Sequence, residues 1–161
     1  GTATGFGGAN TPAFEAYLGG SGGQSLSNDT VTKIQFNNEV FDSDGTYDNS
    51  SNYRFTPGVA GKYFIYAMIQ YDTGSNDNLG NSYLYFKLNG SSNVLEQEKN
   101  PQTHYGRMNY NSATAILDLS ATDYVEVYGR VNTVSGSGQL AESDSQYARA
   151  TKFGAYKIIG A

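Results

Sequence analysis

FNNEVFDSDGTYDNSSNYRFTPGVAGKYF, residues 36–64, is the stretch on which the fold of this chain turns. Its middle, DSDGTYDNSS (42–51), packs three aspartates and a glycine into one polar run, material for a calcium loop or for a connector between strands. A calcium hand sets carboxylates or amides at alternate positions, then a glycine at the sixth, and a closing glutamate at the twelfth. Asp42 and Asp44 make the first step, but Gly45 comes two residues early and no glutamate follows. The spacing favours a surface connector whose aspartates cap turns. Calcium held by Asp42, Asp44 and Asp48 is the alternative to test against geometry.

Beyond the loop, GKYFIYAMIQYD (61–72) is apolar or aromatic on both faces: Tyr63, Ile65, Ala67 and Ile69 on one, Phe64, Tyr66 and Met68 on the other. Such a strand needs cover on both sides. NSATAILDLS (111–120) and KFGAYKIIG (152–160) share the property. Other segments are two-faced, as half-buried strands are. In SYLYFKL (82–88), Leu84, Phe86 and Leu88 alternate with Tyr83, Tyr85 and Lys87. In DYVEVYGRVN (123–132), Val125, Val127 and Val131 oppose Tyr124, Glu126, Tyr128 and Arg130, and VTKIQF (31–36) repeats the scheme.

Between these runs lie LNGSSN, DTGSNDNLGN and VSGSGQ, which are turn material, and no helix of useful length is visible. This many strands at such spacing predict an all-β sandwich or jelly roll. A two-sheet sandwich covers one face of each sheet. The second face of the three two-sided strands is therefore a candidate subunit interface, where tyrosine can bury a ring and keep a hydroxyl for a partner. The competing account is that loops cover those faces.

Composition narrows the function classes. At 161 residues and 38% hydrophobic, the chain suits one domain with a sizeable core. A formal net charge of −5 with ten Lys plus Arg leaves no basic run to neutralise a phosphate backbone, which argues against nucleic acid. The absence of cysteine excludes disulfides, thiolate metal sites and a cysteine nucleophile together, and fits a bacterial or viral product. No stretch of eighteen apolar residues exists, so membrane insertion is not expected. GTATGFGGANT (1–11) is glycine-rich without a period and reads as a flexible lead-in from an upstream part.

The order and spacing within 36–64, with the terminal FGAYKI (153–158), resemble the signature of the globular domain of the C1q and tumour-necrosis-factor superfamily. That signature has a Phe, an Asn or Asp six residues on and an aromatic five later, matched by Phe36, Asp42 and Tyr47. A further Phe and a Gly-x-Tyr step after a Pro-Gly turn are matched by Phe55, Gly61 and Tyr63. Phe55 sits one residue late, and Ile65 and Ala67 stand where the family usually has aromatics.

The resemblance implies a ten-stranded, two-sheet jelly roll over residues 12–161, with PAFEAYL as first strand and TKFGAYKIIG as last. It implies a tight homotrimer whose inner sheet is made from the first, last and two middle strands. Those are the segments that composition left uncovered. Tyr63, Tyr66, Ala115, Leu117, Tyr156 and Ile158 are the interface residues expected on that basis. The family arrangement also makes the strands of Tyr83/Tyr85 and Tyr124/Tyr128 neighbours, forming an outward aromatic cluster rimmed by Lys87, Arg130 and Glu126. Tyr83, Tyr85, Tyr124, Tyr128 and Arg130 are thus candidate ligand-binding residues for a host-surface glycan or a protein partner. Cross-strand pairing that merely stabilises the sheet is the competing reading.

Catalysis finds little support. His104 is the one histidine; it lies in the loop EKNPQTHYGRMNY with Glu98 and Arg107, and no Ser-His-Asp triad can be placed around it. There is no phosphate-binding glycine loop and no HExxH zinc motif. The expectation is a non-enzymatic domain without cofactor. Low charge, absent cysteine and Asn-Gly-Ser-rich loops resemble the C1q-like tips of bacteriophage proteins. The first functional reading is a virion domain, fibre tip or head decoration, joined through its amino end to shaft or capsid proteins. A secreted or spore-surface bacterial adhesin is the second, and a carbohydrate-active enzyme, resting on unassigned carboxylate pairs, the third.

Overall fold

The computed structural model describes residues 10–101, 105–140 and 149–158. Most of the lead-in assigned to 1–11, and His104, lie outside the described residues. Alternating side chains produce strands throughout, and no helix occurs among the described residues. The first half of the order is β1 (Ala13–Tyr17), β2 (Ser25–Leu26), β3 (Thr32–Lys33), β4 (Asn38–Asp42), β5 (Tyr47–Asp48), β6 (Arg54–Phe55) and β7 (Gly61–Asp72). It continues with β8 (Leu79–Leu88), β9 (Ser92–Lys99), β10 (Met108–Leu119), β11 (Val125–Thr133), β12 (Gly138–Leu140) and β13 (Lys152–Lys157).

Two antiparallel sheets result. One is ordered β2-β12-β7-β13-β1-β4, with β10 on the other edge of β7; the second runs β5-β6-β11-β8-β9, with β3 also on β11. The chain is all-β with two curled sheets, as expected, but carries thirteen strand segments rather than ten. The excess comes from two- and three-residue rungs. VTKIQF pairs at Thr32–Lys33, Ile34 N still donates to the Val127 carbonyl at 2.9 Å, and the side chains of Ile34 and Phe36 drop into the core.

That core explains the spacing in 36–64. Phe14 stacks on Tyr47 with centroids 4.7 Å apart and on Phe55 at 5.0 Å, and meets Phe153 edge-on at 5.0 Å. Phe36 lies 5.6 Å from Phe153, and Phe55 packs edge-on against Tyr63 at 5.5 Å. Offset and edge-on pairs are the favoured aromatic geometries. The Tyr47 hydroxyl donates to the Phe36 carbonyl at 3.2 Å and the Tyr63 hydroxyl to the Val59 carbonyl at 2.7 Å, so both rings bury with their polar ends satisfied. Gly61 has φ +151, and a Cβ there would meet the Lys157 side chain at 2.7 Å. The signature residues are thus one aromatic cluster with its hydroxyl anchors and its one obligatory glycine.

The first and last strands meet at one pole. Ala13 pairs with Tyr156, and Lys157 N donates to the Pro12 carbonyl at 3.2 Å. At the opposite pole Asn78 holds three connections together. Its backbone N donates to the Gly106 carbonyl at 3.1 Å, its carbonyl accepts from Val134 N at 3.0 Å, and its side-chain amide bonds both N and O of Ser135.

Candidate functional site

The outward face of the β10-β7-β13-β1-β4 sheet carries several large exposed apolar side chains. Register puts Phe64 between Ile116 and Tyr156, Tyr66 between Thr114 and Gly154, and Met68 between Ser112 and Lys152. Ile116 is 62% exposed, Phe41 50%, Tyr110 44% and Tyr156 38%. Phe64 stacks on Tyr156 with centroids 5.3 Å apart. Near the middle of this face the Glu15 carboxylate accepts the Tyr66 hydroxyl at 2.8 Å, with Arg149 at 3.7 Å and Lys152 at 4.0 Å. Burial, then the bond to Glu15, pushes the Tyr66 hydroxyl above the usual phenol range.

Three of the six expected interface residues point the other way. Tyr63 is fully buried in the core, and Ala115 and Leu117 pack against it from β10. Tyr66 and Tyr156 do face outward, and Ile158, half-buried past the end of β13, donates its N to the Lys62 carbonyl. The correction is one of parity. When both faces of a strand are apolar, alternation separates two sets without naming the inner one, and a one-residue slip exchanges them. The outward partners are Phe64, Thr114 and Ile116.

The second sheet brings the remaining candidates together with more charge than expected. Across its strands Arg54, Glu126 and Lys87 stand in one row, Lys33, Tyr128 and Tyr85 in the next, and Arg130 and Tyr83 in a third. Cations cover the rings: Arg54 lies 4.3 Å from the Tyr124 centroid, Lys87 4.4 Å and Lys33 5.9 Å from that of Tyr128, and Arg130 4.9 Å from that of Tyr83. Arg130 also binds Asp29, with Nη2 to Oδ1 at 2.6 Å, and the Tyr83 hydroxyl donates to Glu98 at 2.9 Å.

Tyr85 stacks beneath Tyr83 at 6.0 Å and is only 4% exposed, so its ring is not presented to a ligand. Glu126 is buried rather than rim-placed; it accepts Lys33 Nζ and the Tyr128 hydroxyl. Burial, then the neighbouring Glu126 carboxylate, raises the Tyr128 hydroxyl to about 12. Arg54 lies in a two-residue strand that carries no detectable alternation, and Lys33, on the polar face of VTKIQF, could not be placed beside Tyr128 before the pairing of β3 with β11 was known.

The aspartates of the opening loop serve their own turns. Asp42 Oδ2 accepts Tyr47 N at 2.7 Å, while Oδ1 accepts the Thr46 hydroxyl at 3.1 Å and Asp44 N at 3.3 Å. Asp48 accepts Ser51 N at 2.8 Å and Asn52 Nδ2 at 2.7 Å, bonds that hold its carboxyl well below the usual range. Asp44 accepts the Ser43 hydroxyl. Among the described residues no three carboxylate or imidazole side chains are grouped to hold a metal, so the Asp42–Asp44–Asp48 calcium set is not assembled. In the His104 loop, Arg107 is committed to Asp72 at 3.0 Å and Glu98 to Tyr83, so the two do not form a joint site.

No protein-family model matches the chain. The phage-like element PBSX protein XkdV of Bacillus subtilis (strain 168) is 29% identical over 118 residues, covering 70% of this chain and 17% of that protein. The chain thus spans less than a fifth of that relative. Among solved structures, Eiger TNF from S. frugiperda matches with a TM-score of 0.62 at 17% identity, over 92% of this chain and 93% of that one. The globular domain of zebrafish complement 1qA matches with a TM-score of 0.59 at 18% identity, over 91% and 96%. The chain therefore has the two-sheet jelly-roll fold of the tumour-necrosis-factor and C1q globular domains, as the spacing from Phe36 to Tyr63 implied.

Proposed function

We propose that this chain is a non-enzymatic head domain of a phage or phage-like-element structural protein. It assembles as a homotrimer and attaches to glycans or proteins of the host surface. The observation that carries the reading is the outward face of the β10-β7-β13-β1-β4 sheet. Phe64, Met68, Ile116, Tyr110, Tyr156 and Phe41 form a broad apolar surface of the kind that marks an interaction site. Burying one large apolar side chain of this class contributes roughly 1.5–3 kcal/mol.

The free edge of β10 supports the same reading. Over twelve residues, MNYNSATAILDL, it carries one charge, Asp118, and no proline or lysine. Among the described residues it pairs only with β7. A long edge without such protection is a template for further pairing unless an assembly covers it. The XkdV relative supports the phage context and a virion-surface location, and the shared pole of the first and last strands suits a junction with shaft or capsid proteins there.

The test is sedimentation equilibrium at micromolar concentration on the wild type and on Ile116→Asp. Expected are three copies of the 17.3 kDa chain for the former and dissociation of the latter with its fold retained by circular dichroism. A monomeric wild type overturns the reading.

A further inference from the structure

We infer that the patch formed by Arg54, Lys87, Lys33, Tyr124 and Tyr128 on the second sheet binds the anionic groups of a surface polysaccharide. This rests on the host-attachment reading and gives it a ligand class. The sequence offers the tyrosine cluster as a candidate site for a host-surface glycan or a protein partner, against cross-strand pairing that only stabilises the sheet. The structure sets cations against the tyrosine faces, so charge stands beside the rings where a sugar would stack.

The cations of the patch are not all paired. Arg54, Lys87 and Lys33 share this face with the carboxylates of Glu126, of Asp48 opposite Arg54 and of Glu96 opposite Tyr85, and among the described residues only Lys33 and Glu126 are within ion-pair distance. Asp48 lies across from Arg54 in the ladder and stays charged, but its oxygens are turned to Ser50, Ser51 and Asn52 and make no ion pair with Arg54. Neither Arg54 nor Lys87 has a carboxylate within 4 Å among the described residues; each has an aromatic ring instead. A ring holds a cation in place through its quadrupole without neutralising it. The two charges are therefore pre-positioned and still open on the solvent side, so an incoming carboxylate or phosphate meets them with little ordering cost.

Arg54 and Lys87 sit on the two strands flanking β11, about 10 Å apart at two inter-strand spacings. The chain as a whole carries −5, so a polyanion is held here by direct contact with these two unpaired cations against a general repulsion. Carboxylates of a polyuronic acid and phosphodiesters of a polyol-phosphate polymer offer the same chemistry.

The test measures binding of the whole chain to polygalacturonate, poly(glycerol phosphate) and neutral dextran in 50 and 300 mM salt. Lys87→Met and Arg54→Met are the informative variants, because each keeps an apolar stem over its ring while removing the charge. Expected are binding to at least one polyanion but not dextran, weakening at the higher salt, a loss of about three- to fivefold per variant and tenfold or more in the double variant. Which polyanion binds distinguishes the two sources. Binding of dextran alone or equally, binding of neither polyanion, or affinity unchanged in the folded double variant overturns the proposal. Absence of polyanion binding by a wild type that is trimeric and adsorbs to cells dismisses this patch alone. A monomer that still binds polyanion dismisses the assembly reading alone.

Discussion

Asp42 shows how one carboxylate can look like a ligand and act as a clamp. Its two oxygens accept from Asp44 N, Thr46 Oγ1 and Tyr47 N, closing the turn that delivers Tyr47 into the stack on Phe14. Asp42→Ala leaves those donors without their acceptor and is expected to destabilise the domain by about 1–3 kcal/mol in urea unfolding. Millimolar calcium should leave the wild-type melting temperature unchanged, because the carboxylates do not converge. Asp48 makes a related statement about pH. Its folded carboxyl is lowered by bonds from Ser51 N, Asn52 and Ser50 N, with burial opposing them. Its contribution is thus complete above the unfolded aspartate value of about 4 and declines as pH falls further. Asp48→Asn should flatten the acid limb of a stability–pH curve measured between pH 2 and 5.

At the scale of the element, β7 separates two kinds of apolar residue that look alike in sequence. Tyr63, Ile65, Ala67 and Ile69 are enclosed between the sheets, whereas Phe64, Tyr66 and Met68 lie on the outside among Ile116, Thr114 and Ser112. Core truncation next door therefore costs more than truncation of the outer face. Phe153→Ala, in contact with Phe14, Phe36, Tyr47 and Phe86, should lose about 3–5 kcal/mol in denaturant unfolding of the dissociated chain. Ile116→Ala should change that chain's stability by about 0.5 kcal/mol or less.

The long strands were legible because period-two alternation and turn residues leave a pattern; that β8 and β11 are neighbours was implied by the family resemblance and not by the alternation. The inner side of β7 and β10 was not legible, since burial of either set satisfies the same alternation. The cationic cover over Tyr124 and Tyr128 was equally hidden. It depends on which strands end up adjacent, and Arg54 and Lys87 come from segments far apart in the chain joined only through β11.

Over the whole molecule, aromatic residues take the place that disulfides hold in many domains of this size. Phe14, Phe36, Tyr47, Phe55, Tyr63, Phe86 and Phe153 tie the two sheets through ring contacts, in a chain with no cysteine. The tyrosines make that core sensitive to base. Burial first, then nearby negative groups, holds Tyr47 above the usual phenol range, and burial does the same for Tyr71. A raised folded value means that stability is intact below the unfolded value near 10 and is lost as pH rises beyond it. Each of these two groups should remove up to about 1.4 kcal/mol per pH unit there. Denaturant unfolding between pH 9 and 11 reads the slope, and Tyr71→Phe should reduce it.

The shared pole has a further implication. Pro12 and Lys157 are hydrogen-bonded neighbours, so a host polypeptide can enter and leave this fold through nearly the same point. A segment with adjacent entry and exit can be spliced into a longer chain, or exchanged for another of its kind, with little displacement of what flanks it. Such a geometry suits a segment that is exchanged as a unit, since what flanks it on either side meets at one point.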